Sequence, residues 1–125
     1  MSVARFTPMT HHCAGPKHFV NGGIIATILD CHCVCTAAAM TYRDDGREIG
    51  SQPEVYCATT RLEVEYRRPT PMGVELTLAA RILERLERGY VLSCRLEAAG
   101  KECVTAQVEA VRVPESWVLG RGAGN

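Results

Sequence analysis

Two different hydrophobic rhythms divide the chain. From Ile24 to Thr41, eighteen residues carry a single formal charge, Asp30, with Asn21-Gly22-Gly23 directly ahead. Asn21 is a good helix N-cap, and the pattern predicts a helix from Asn21 to about Tyr42. Apolar residues occupy almost every side of it, so other structure should wrap around it. Arg43-Asp44-Asp45-Gly46-Arg47 is a polar turn that ends the helix, and residues 48–54 form a loop closed by Pro53.

Beyond that loop the period becomes two. Leu62, Val64 and Tyr66 alternate with Arg61, Glu63, Glu65 and Arg67, predicting a half-buried strand that stops at Pro69-Thr70-Pro71. Tyr90, Leu92, Cys94, Leu96 and Ala98 predict another, stopped by Ala99-Gly100-Lys101. Val104, Ala106, Val108 and Ala110 predict a third. Glu75–Leu86 has both strand alternation and strong helix formers. The Arg88-Gly89 turn after it favours a hairpin, so it is read as a strand. Residues 1–20 read as a short strand plus loop, and 115–125 as a frayed tail. The expected fold is α+β in a single domain over 1–125, a long greasy helix wrapped by a curved antiparallel sheet.

Composition narrows the function classes. Fourteen basic and fourteen acidic residues balance, which gives no general attraction to nucleic acid or an anionic membrane. No secretory signal pattern is present. The apolar helix contains Asp30, His32, three threonines and three cysteines, and reads as a buried helix, not a membrane span. Seven cysteines are an odd number for a disulfide framework. Cys31-x-Cys33-x-Cys35 points to different sides of a helix and lacks zinc-site spacing, so free thiols in a reducing cytoplasm are expected. His11, His12, Cys13 and His18 also follow no strong zinc pattern, and no metal is expected.

The chemistry concentrates around Asp30. A carboxylate in so apolar a stretch is costly to bury without a partner, and so needs a partner or a job. The Gly22-Gly23 step leaves amide N–H groups free at a helix start, where developing negative charge is stabilised. His32, two residues from Asp30, points to another side and reads as a hydrogen-bonded core or interface histidine.

Asn21-Gly22-Gly23-Ile24-Ile25-Ala26-Thr27-Ile28-Leu29-Asp30 resembles the hotdog-fold acyl-CoA thioesterases of the phenylacetate-pathway and 4-hydroxybenzoyl-CoA type. Those enzymes carry a His-Gly-Gly step and an Asp or Glu nine residues after the His. The stretch from Ala58 to Pro69 is similar to the family's central strand, and the resemblance spans roughly 13–113. It implies thioester hydrolysis to CoA and a carboxylic acid, with acyl-CoA as substrate and no cofactor. Gly22 N–H would form the oxyanion hole, Asp30 would be general base or nucleophile, and Thr59 would help place water. Asp30 and Thr59 would come from different subunits of a dimer or dimer of dimers. CoA phosphates require local cations, for which Arg67, Arg68 and Arg88 are the candidates, with Gly23, Gly89 and Tyr90 beside them as CoA-binding positions. Two positions depart from the family pattern: Asn21 stands in place of the His, and Gly15 where an Asn or Gln is frequent. A non-catalytic acyl-CoA-binding module is the alternative reading, followed by a hydratase or dehydratase, which the missing His disfavours.

Overall fold

Residues 1–118 are described by a computed structural model. β1 (Ser2–Phe6) leads through a single 3-10 turn into α1 (Gly22–Asp44). β2 (Cys57–Tyr66), β3 (Leu76–Arg85), β4 (Gly89–Ala98), β5 (Lys101–Arg112) and the short α2 (Glu115–Val118) follow. The five strands form one antiparallel sheet in the order β1-β3-β4-β5-β2, and α1 packs against one face of it. This is the expected hotdog arrangement, and Glu75–Leu86 is a strand within it.

Each element has a local cause. α1 begins where the Asn21 side chain caps it and runs two residues beyond the predicted end. Its inward stripe, Ile25, Leu29, Cys33, Ala37 and Thr41, is buried at helical spacing against Leu76, Leu92, Leu96, Val104 and Val108 of the sheet. The β4–β5 hairpin closes in two residues, with Ala99 (φ 50°) and Gly100 (φ 76°) both left-handed, so β5 starts at Lys101. A mirror-image turn of this kind matches the twist of the paired strands. Of the predicted tail, residues 115–118 form a helical turn; 119–125 lie outside the described residues.

Two features set up the site. The sheet covers the inward stripe of α1, while Cys31 and Cys35 on another side of the helix are exposed. β2 is an edge strand, paired only with β5, and one residue is bulged out between Thr59 and Arg61.

Candidate active site

The bulge decides what β2 presents to the helix. Leu62 lies opposite buried Val108, so Leu62, Val64 and Tyr66 share the core-facing side. Strict alternation would put Thr60 on that side. Because the register shifts, Thr59 lies opposite buried Ala110 instead, and Thr60 turns its hydroxyl to the Glu109 carbonyl. Thr59 thereby reaches Asp30: its Oγ1 donates to Asp30 Oδ1 at 2.5 Å. The expectation that these residues come from different subunits is corrected here, since a single chain brings them together. Asp30 remains half-buried, leaving its carboxylate partly open.

At the helix start, Asn21 acts as a cap. Its Oδ1 accepts the Gly23 N–H at 2.8 Å and its carbonyl accepts the Ile25 N–H at 3.1 Å. A Cβ on Gly23 would meet Asn21 Oδ1 at 3.2 Å, so the glycine keeps the cap close. Gly22 N–H has no hydrogen-bond partner among the described residues. The sequence did not single out Tyr66, although its inward position in the alternation was the available signal. Its hydroxyl donates to the Gly22 carbonyl at 2.6 Å and ties the end of β2 to the helix N-terminus.

The basic candidates separate to opposite ends of α1. Arg67 and Arg68 join Phe19, Val20, Gly22 and Tyr66 around a groove of about 400 Å³ at the N-terminal end. Arg67 is paired with Glu65 at 2.8 Å, whereas Arg68 makes no ion pair among the described residues. Arg88, Gly89 and Tyr90 line a cavity of about 510 Å³ at the C-terminal end, with Asp44, Arg85 and Arg112. Tyr90 is buried with its hydroxyl donated to Asp44 at 2.6 Å. Its pKa is pushed up, first by burial and then by that carboxylate, while Arg85 and Tyr90 hold Asp44 below the usual carboxylate range. One chain therefore does not bring Arg88, Gly89 and Tyr90 to Asp30.

Two of the histidines and two of the core cysteines have structural partners. His32 Nε2–H donates to the Ser2 carbonyl of β1 at 3.1 Å, the satisfied role expected from its position. His12 Nδ1 accepts the Met9 N–H at 2.9 Å. Cys33 and Cys94 meet in the core, where hydrogen bonding between the thiols and burial push Cys33 up. No group of three His, Cys, Asp or Glu side chains is arranged to hold a metal among the described residues.

Residues 17–104 match the sequence pattern of the Thioesterase superfamily. A thioesterase superfamily protein from Shewanella loihica PV-4 is 34% identical, covering 90% of this chain and 82% of its own, with a TM-score of 0.72. A Thermus thermophilus thioesterase complexed with coenzyme A and Zn superposes at TM-score 0.69 with 15% identity, covering 90% of this chain and 78% of its own. The E. coli PaaI protein from the phenylacetic acid degradation operon gives 0.67 with 14% identity, at 90% and 72% coverage. Among curated proteins none matches.

Proposed function

Because the chain belongs to the thioesterase superfamily, we propose that it is an acyl-CoA thioesterase, releasing CoA and a free carboxylic acid. The observation that carries this reading is Asp30, the one carboxylate between Ile24 and Thr41, half-buried and held by the Thr59 hydroxyl. A carboxylate with one oxygen engaged keeps the other for chemistry. Asp30 takes a proton from water as the water oxygen bonds to the thioester carbonyl carbon. The carbonyl oxygen becomes an oxyanion that accepts from the Gly22 N–H, at the positive end of the helix dipole. Collapse breaks the carbon–sulfur bond, and the CoA thiolate takes up a proton. A route in which Asp30 itself attacks, forming a mixed anhydride that water then opens, uses the same groups.

The spacing of these groups supports a site shared between two copies. Gly22 and Asp30 are eight residues apart, which is roughly 12 Å of rise along α1. The acid side chain leans toward the helix N-terminus, yet one carbonyl cannot reach both from a single helix. An oxyanion donor from one copy with Asp30 and Thr59 from another removes that conflict. The open edge of β2 offers unpaired backbone for such pairing. An antiparallel β2–β2 pairing runs the two α1 helices in opposite directions, so that Gly22 of one copy can lie beside Asp30 of the other. Arg68 of one copy and Arg88 of the next are then the cations proposed for the CoA phosphates, with Arg67, Gly23, Gly89 and Tyr90 shaping the walls. The coenzyme A bound by the Thermus thermophilus relative supports this ligand class. Carboxylate, water and amide suffice for the reaction, so the proposal includes no cofactor, and a reducing cytoplasm suits the free thiols.

The test is CoA release from short, medium, long and aromatic acyl-CoAs by wild type and Asp30→Asn. Turnover that falls by about 100-fold or more in the variant supports a base or nucleophile. Acyl-CoA binding without turnover in wild type replaces this reading with the binding module. Equal turnover in both proteins removes Asp30 from the chemistry.

A further inference from the structure

Cys31-x-Cys33-x-Cys35 is divided by the fold. Cys33 is buried on the inward stripe of α1, whereas Cys31 and Cys35 are exposed. Four residues apart on one helix, these two stand one above the other on the same face. That face is turned away from the sheet. Asp30 is directed to Thr59 on β2 and His32 to Ser2 on β1, so neither shares it. The two thiols sense each other: partial burial and then the neighbouring Cys31 push the Cys35 thiol up.

Their spacing selects what can join them. A disulfide requires Cβ atoms about 3.8 Å apart. Residues one helical turn apart hold theirs at about 5–6 Å, so a direct S–S bond would distort the middle of a 23-residue helix. A metal ion between the sulfurs spans more than an S–S bond of about 2.05 Å does, because it places two metal–thiolate bonds in that gap. Zinc takes four ligands, and no third His, Cys, Asp or Glu completes a set here among the described residues. Soft thiolates select Cu(I), which is satisfied by two ligands.

We propose that Cys31 and Cys35 form a two-coordinate site for a soft monovalent metal ion of the Cu(I) class on the outer face of α1. On binding, each thiol loses its proton to solvent and each sulfur forms one bond to the metal. The ion stays monovalent and no electron is transferred. The site is independent of the thioesterase reading.

The experiment is an anaerobic titration of the reduced full chain with Cu(I) buffered by a chromogenic Cu(I) chelator. Wild type is compared with Cys31→Ser, Cys35→Ser, the double variant, and a Cys13→Ser/Cys57→Ser control. One equivalent per chain is expected for wild type and for the control, with two fewer thiols open to alkylation once metal is bound. Each single variant should bind about 100-fold more weakly or worse, since a second ligand on one scaffold adds at least that much. Circular dichroism checks that the variants keep the α1 helix. Unchanged affinity in any folded Cys31 or Cys35 variant overturns the proposal, as does loss of binding in the control.

Discussion

Thr59 and Asp30, twenty-nine residues apart in sequence, are joined by a hydrogen bond of 2.5 Å from the β2 edge strand to the middle of α1. The donor is a neutral hydroxyl and the acceptor a carboxylate, a charge-assisted contact that also fixes the orientation of the acid.

If Asp30 activates water, losing this contact should act on the chemical step. Thr59→Val is expected to lower kcat about 10-fold through misplacement of the carboxylate, with KM changed less than about twofold. Thr59→Ser should restore most of the loss. Steady-state CoA release checks this, and a rise in KM at unchanged kcat would assign Thr59 to substrate binding instead.

The Asn21 side chain is spent on the helix cap, accepting the Gly23 N–H. Asn21→Ala should cost about 1 kcal/mol, and Asn21→Ser or Asn21→Asp only a few tenths. Urea unfolding midpoints measure this. Equal loss in all three variants would mean that the amide does something besides capping.

Gly89 has no room for a side chain. A Cβ there would lie 2.1 Å from the Ala110 carbonyl oxygen and 2.8 Å from Val111 Cα, both backbone atoms of the neighbouring strand. Gly89→Ala should destabilise by about 1–3 kcal/mol, the usual range for overpacking. Thermal unfolding should show a drop of several degrees, and an unchanged midpoint would rule out this close approach.

Asp44 predicts a pH dependence of stability. Arg85 first, then Tyr90, hold its pKa below that of an unfolded chain. The contribution is therefore complete above the unfolded carboxylate pKa and is lost as pH falls through the lowered folded value. Tyr90 has the opposite sign: its raised pKa stabilises below the ordinary phenol range and is lost as pH rises through the folded value. Unfolding of Asp44→Asn across acid pH should lack that part of the decline seen in wild type. An identical acid profile would dissociate Asp44 from it.

Local chemistry alone determined much of this protein. The α1 helix and its cap at Asn21 follow from an uninterrupted apolar run with a capping residue ahead. The paired strands follow from alternation and from the turn residues between them. Asp30 was legible because a single charge in eighteen residues has no local explanation. Periodicity, however, reports only which residues share a face while the period holds. The bulge in β2 breaks it: alternation favours Thr60, the resemblance singled out Thr59, and the pairing with β5 gives the physical reason that Thr59 turns toward the carboxylate. Sequence distance likewise gave no measure of space. Arg68 and Arg88 are both cations beside turns, yet a 23-residue helix separates the ends where they lie. Which face of the apolar helix stays uncovered, leaving Cys31 and Cys35 exposed, was also decided in three dimensions, because the sheet packs on only one side of the helix.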